Sequence, residues 1–214
     1  TVVISANKNE TNRMEAPVVV HVMTPKLFEN TNSVCLAQGL SFQPGLRVET
    51  NCQNCGFQQV RINGLDGPYT QLLLDGKALF SSLNGVYGIE QIPAGMIERV
   101  EVMRGGGSAL YGANAIGGTV NIITKEPLNN LFMISHNLIA IGNSAYDNTT
   151  SLNASLINGQ RNAGLYIFGT SRHRQHYDHD GDHFSEIGEL KLTTLGFRSY
   201  YKPSSQTKLT LEYH

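Results

Sequence analysis

The sequence predicts two parts in series: an α+β domain over residues 1–126, then an antiparallel β-sheet over residues 131–214. Three observations predict this. In the first part no helical pattern is long, and the apolar runs are short and strand-like. In the second part apolar and polar residues alternate with the period of a strand. Between the two lies a glycine-rich block, Arg104–Gly118, with six glycines in fifteen residues, bracketed by the strand-like runs Arg99–Met103 and Thr119–Thr124.

Each element of the first part has a local signal. Val18–Val22 suits a strand, and Thr31-Asn32-Ser33 offers caps for a short helix through about Gly39. Leu46–Thr50, Gln59–Ile62 and Gln71–Leu74 are further strands, the last closed by the turn pair Asp75-Gly76. A turn at Pro93–Met96 leads into the strand Ile97–Met103. Cys35 reads as a buried helical thiol.

The second part holds five strands. Leu131–Ile141 comes first, with poor alternation; then Leu152, Ala154 and Leu156 alternate with Ser151, Asn153 and Ser155. Leu165–Arg172 is a further strand. Leu190 and Leu192 alternate with Glu189, Lys191 and Thr193, after which the phase slips near Thr194 and predicts a bulge. Leu209, Leu211 and Tyr213 alternate in the last. The connections read as medium (Gly142–Thr149), short (Asn158–Asn162), long (His173–Ile187) and short (Pro203–Gln206). Alternation alone also fits a soluble, half-buried β-domain.

Composition narrows the function. A net charge of −1 indicates no nucleic-acid or anionic-surface partner. No run approaches the roughly 18 apolar residues of a membrane helix, which leaves a membrane β-barrel open. The start lacks a signal peptide, as a processed chain would. There is no G-x-S-x-G and no H-E-x-x-H, so the expectation is that the chain is not an enzyme. The glycine block is no nucleotide loop either: no Lys follows it, and G-x-G-x-x-G fails at Leu110.

Read in order, the motifs are Ala16-Pro17-Val18, the Leu36–Leu40 region ending at Pro44-Gly45-Leu46, Val60–Gly67, Leu74-Asp75-Gly76, Ile92-Pro93, and IERVEVMRGGGSALYGANAIGGTVNIITK over Ile97–Lys125. This series resembles the plug domain of TonB-dependent outer-membrane receptors, closest to the cobalamin, iron-chelate and haem branch. One departure is Asn63, where many members carry Arg. The resemblance implies a TonB box and linker at 1–12, a plug at 13–126, and the first five strands of a transmembrane barrel at 127–214. The barrel would have about 22 strands, so it is incomplete in this chain. It also implies a bacterial outer-membrane location, with His173–Ile187 outside the cell because long barrel loops face outward.

The function so implied is TonB-dependent import of a scarce metal chelate: cobalamin, haem or a ferric siderophore. A carbohydrate-importing receptor and a non-transporting surface binding module are the alternatives. Expected partners are TonB in the periplasm, the chelate, outer-membrane lipid and, as a further option, a surface lipoprotein. The segment Thr1, Val2, Val3, Ile4, Ser5 and Ala6 resembles a TonB box, with no obvious packing partner, and such a segment can be captured as an added strand. The plug loops implied to meet ligand offer Gln53, Asn54, Phe57, Phe80, Ser81, Ser82, Asn84 and Tyr87. Arg99, Glu101 and Arg104 look like plug–barrel electrostatic contacts. In an oxidising periplasm Cys52 and Cys55 would form a small disulfide; a zinc site would need a second pair, which is absent.

One further segment carries ligand chemistry. Asp178, Asp180, Asp182 and Glu186 fall at positions 1, 3, 5 and 9 of a loop similar to an EF-hand calcium loop, with Glu189 at position 12 and His183 where glycine is usual. No cofactor is required by the sequence, and calcium is the ion this loop would take. The neighbouring His173, His176, His179 and His183 suit a transition metal or haem iron equally by donor type.

Overall fold

The computed structural model describes residues 2–6, 11–12, 14–52, 57–79, 88–105 and 108–214. It has two compact units, Thr1–Thr124 and Lys125–His214.

The first unit is built on a five-stranded mixed sheet. Its strands are β3 (Val20–Met23), β6 (Thr70–Leu74), β7 (Lys77–Ala78), β8 (Ile97–Arg104) and β9 (Gly118–Thr124), in the order β3-β8-β9-β6-β7. β9 is central and buried along its whole length. It pairs parallel with β6 and antiparallel with β8. A strand covered on both faces reads as near-continuous apolar sequence, which Val120, Ile122 and Ile123 supply. On one face Val100 and Val102 of β8 lie opposite Ile122 and Val120. The other face carries Glu101 opposite Asn121, and Met103 opposite Thr119.

Smaller elements complete this unit. β1 (Val2–Val3) pairs antiparallel with β2 (Thr11–Asn12). β4 (Leu46–Cys52) pairs antiparallel with β5 (Phe57–Ile62) as a separate ribbon. Among the described residues the helices are α1 (Pro25–Asn30), α2 (Leu36–Leu40) and α3 (Ser108–Tyr111). α1 is absent from the sequence expectation, although Pro25 stands in its first turn, where a missing N–H is harmless. α2 begins after Cys35, which is buried. Asn63 takes a positive φ of 52° and its N–H donates to Gly45 O at 3.0 Å. Asn tolerates that conformation, so the position serves a turn here.

The second unit is one antiparallel meander: β10 (Leu131–Ile141), β11 (Ala145–Ile157), β12 (Ala163–Arg174), β13 (Leu190–Ser204) and β14 (Thr207–Tyr213). Register sorts its residues cleanly. One face carries the row Phe132, Ala154, Ile167, Phe197, Tyr213, flanked by Ile134, Leu152, Gly169, Leu195 on one side and Leu156, Leu165, Ser199, Leu211 on the other. Phe132, Ile134, Leu156, Leu195, Leu209, Leu211 and Tyr213 are all exposed. The opposite face is polar: Asp147, Thr149, Asn153, Ser155, Thr170 and Arg172 are buried there. Asp147 and Arg172 form a bidentate pair, with Nε–Oδ1 at 3.0 Å and Nη2–Oδ2 at 2.6 Å. An exposed apolar face backed by a polar one is what a membrane barrel wall needs and what a soluble sheet avoids.

Two sequence expectations for this unit fail. There is no bulge at Thr194: β12 and β13 pair without interruption from Ala163↔Tyr201 to Arg174↔Leu190. Leu190 and Leu192 stand on the polar face, and the apolar pattern changes face at Leu195 while the backbone continues straight. The register shift instead falls between Tyr201 and Ser204, around Pro203, which cannot donate to a ladder. The first connection is also shorter than expected. β11 begins at Ala145, so only residues 142–144 join it to β10, and the 175–189 connection is the single long one.

Candidate functional site

The N-terminal segment has a packing partner, contrary to expectation. Val3, Ser5 and Ala6 are buried, with Val3 and Ser5 both 0 % exposed, whereas Val2 is 47 % exposed. Val3 and Ala6 pack with Val20, beside Ala16, Val18 and Val22. Val20 and Val22 lie on the sheet face that carries Met103 and Glu101, so the segment covers that face of the plug sheet. Thr1 lies outside the described residues.

The polar contacts fix the segment at Ile4 and, chiefly, Ser5. Glu101 Oε2 accepts from Ile4 N (2.8 Å), Ser5 N (2.8 Å) and Ser5 Oγ (2.7 Å). Its other oxygen accepts from Arg99 Nε at 2.8 Å. Asn121 Nδ2 donates to Ser5 Oγ at 3.1 Å, and Tyr111 OH donates to Ser5 O at 3.1 Å. Asn121 is itself oriented by accepting from Gly76 N at 2.9 Å. Glu101 and Asn121 are 0 % exposed. A carboxylate so deeply buried is tolerable only when charge and lone pairs are met, as they are here. Burial, and then the charge of Glu101, raise the Tyr111 phenol above its ordinary pKa, which keeps it a donor.

Glu101 therefore works inside the first unit, not as the plug–barrel contact expected of it. The sequence does hold a signal: an acid stands between Val100 and Val102 in a strand that is apolar on both sides. Arg104 reaches the Pro44 carbonyl, also within this unit.

The glycine block is a turn network. Gly118 has φ +139°, and a Cβ on it would collide with the Met103 carbonyl oxygen. A Cβ on Gly117 would stand 2.9 Å from Tyr69 O, to which Gly117 N donates at 2.8 Å. These glycines let β8, β9 and the Gly67–Tyr69 turn approach closely, a matter of shape.

The acidic loop folds partly as expected. Asp178, Asp180 and Glu186 each place a carboxylate oxygen within 4.8 Å of the others. Asp182 is outside this group; its Oδ1 accepts from Phe184 N at 2.8 Å. His183, where glycine is usual, takes a positive φ of 73°, as does Gly181 at 77°. Glu189 is held below the ordinary carboxylate range, chiefly by hydrogen bonding to Lys191 and then to His173. Among the proposed ligand-loop residues, Gln53, Asn54, Phe80, Ser81, Ser82, Asn84 and Tyr87 lie outside the described residues, and Phe57 begins β5. Cys55 also lies outside them, and Cys52 ends β4.

Comparison with known proteins decides the family. The TonB-dependent Receptor Plug Domain matches residues 12–119, half of the chain. The chain belongs to the TonB-dependent receptor family. Members are outer-membrane proteins. The vitamin B12 transporter BtuB of Vibrio vulnificus is 36 % identical over 126 residues, covering 59 % of this chain and 21 % of the relative. BtuB of Vibrio cholerae is 30 % identical over 125 residues, covering 58 % and 20 %. The chain thus spans about a fifth of the length of these curated relatives. The siderophore receptor PirA from Acinetobacter baumannii shares the fold at a TM-score of 0.76 and 23 % identity, over 90 % of this chain and 30 % of that one. P. aeruginosa FpvA does so at 0.75 and 18 %, over 99 % and 26 %. The α+β plug followed by antiparallel barrel strands is therefore the fold.

Proposed function

We propose that this chain supplies the plug and first barrel strands of a receptor that imports a metal chelate, cobalamin first among them, across the outer membrane by TonB-dependent transport. The observation that carries the cargo is the 36 % identity to a vitamin B12 transporter over 126 residues. The Thr1–Ala6 segment is the TonB-binding element: it is β-prone, and its described residues lie docked on one face of the plug sheet. TonB would capture it by strand addition and use inner-membrane energy to displace it. Transport, not catalysis, is the role that the relatives' names support.

The ligand face is assigned to the two plug loops that carry Gln53, Asn54, Phe57, Phe80, Ser81, Ser82, Asn84 and Tyr87, whose amides, hydroxyls and rings can bond and stack on a chelate. The carboxylates of the 178–186 loop are assigned to calcium, because hard oxygens converge there. Growth of a receptor-deletion strain, complemented with the full-length protein, tests the cargo on limiting cobalamin, haem or ferric siderophore. Rescue on cobalamin is expected. Rescue on haem or siderophore alone would reassign the cargo, and rescue on none of them would remove the proposal.

A further inference from the structure

The first unit contains a buried ionic cluster that transport as described above does not use: Arg99, Glu101, Ser5, Asn121 and Tyr111. Its composition is unusual for a permanent anchor. The segment it holds contributes only two small apolar side chains, Val3 and Ala6, to the core. Beyond its short ladder with β2 and the Ile4 N–H that reaches Glu101, its ties to the sheet are polar and converge on Ser5. Its N–H and Oγ both reach Glu101 on β8, its Oγ also takes Asn121 on β9, and its carbonyl takes Tyr111 on α3. Three separate elements thus fix one residue, so the segment leaves as a unit or stays.

We infer that Glu101 is the positioning residue that latches residues Val3–Ala6 onto the plug sheet, and that presenting this segment to a partner requires breaking its bonds to Ile4 and Ser5. The identity of that partner rests on the TonB assignment above; the latch does not. Release leaves no stranded charge. Arg99, 2.8 Å from Glu101 and 21 % exposed, stays paired with it, and water can enter the vacated space to meet the carboxylate and the Ser5 backbone. Net hydrogen-bond energies are small once water replaces the partner, so the docked and released states differ by an amount a modest force or ligand can reverse. An apolar staple of the same extent would lack that property. Asn121 extends the cluster to Gly76 N, in the turn that joins β6 to β7, so the backbone around Asp75-Gly76 and the docked segment share one amide side chain.

The test uses the full-length receptor in outer-membrane vesicles, with Cys52→Ser, Cys55→Ser and a reporter Val3→Cys, which is smaller than the valine it replaces. A water-soluble maleimide measures exposure of position 3. Glu101→Gln keeps the shape but weakens three charge-assisted bonds, and labelling should rise about tenfold or more. Ser5→Ala removes only the hydroxyl contacts and should raise it several-fold. Cys35, buried in the plug core, should stay protected in both. Unchanged labelling at position 3, or equal gain at Cys35, would overturn the latch. If Glu101→Gln fails to reach the membrane, Ser5→Ala decides alone. Capture of the purified periplasmic domain of TonB is a separate readout: faster labelling without better capture keeps the latch and removes the partner assignment.

Discussion

Ile167 stands in the middle row of the apolar face, between Ala154 on β11 and Phe197 on β13, with apolar rows on either side of it. Thr150 is on the same face but in the row of His136, Ser171 and Thr193, where polar residues begin. From Tyr201 to Leu195 along β13 the apolar band covers roughly 20 Å at about 3.4 Å per residue, and Ile167 sits well inside it. Arginine at the centre of such a band costs about 2–4 kcal/mol, and near its edge about 0–1. Ile167→Arg should therefore lower stability by about 2–4 kcal/mol, a thirtyfold or greater change in the folding equilibrium, and Thr150→Arg by under about 1 kcal/mol. Urea titration of the full-length receptor in phospholipid vesicles, scored by the gel mobility of folded and unfolded forms, measures both. Equal effects of the two substitutions, or a cost below about 1 kcal/mol for Ile167→Arg, would refute the assignment of this face to lipid.

Three further outcomes follow from the same geometry. Arg172→Met leaves Asp147 a buried unpaired charge and should cost about 3–5 kcal/mol, while Asp147→Leu with Arg172→Met should recover most of it in the same titration. Gly118→Ala forces a strained φ and a collision with the Met103 carbonyl, so it should destabilise the plug by about 2–3 kcal/mol and speed limited proteolysis of the plug without altering the barrel's gel mobility. Equilibrium dialysis of the receptor should give saturable calcium binding that Asp180→Ala abolishes, and no saturable zinc binding; absence of calcium binding in the unsubstituted protein would remove the ion from the 178–186 loop.

What could be read from the sequence depended on distance along the chain. Period-two alternation placed Leu152, Ala154 and Leu156 on one face, because the pleat is a local property. The same rule misled at Thr194. A change of apolar face looks like a phase slip in sequence, yet Leu190 and Leu192 simply stand on the polar side of a continuous strand. The turn at 142–144 was overestimated because Asp147 and Thr149 look like loop residues until their face is known to be the polar one. The docked N-terminal segment was the least legible. Its determining contacts join residues 96, 97, 106 and 116 positions apart, and no local pattern encodes them. Glu101 was visible as an acid in an apolar strand, but only the fold reveals that Ser5 is its partner.

Import is tested most directly by accumulation of radiolabelled cobalamin in cells that carry the full-length receptor as their only route for it, with TonB present or deleted. Binding at the surface is expected in both strains, and accumulation only where TonB is present. Accumulation that continues without TonB, or no cobalamin binding in either strain, would contradict TonB-dependent import of cobalamin.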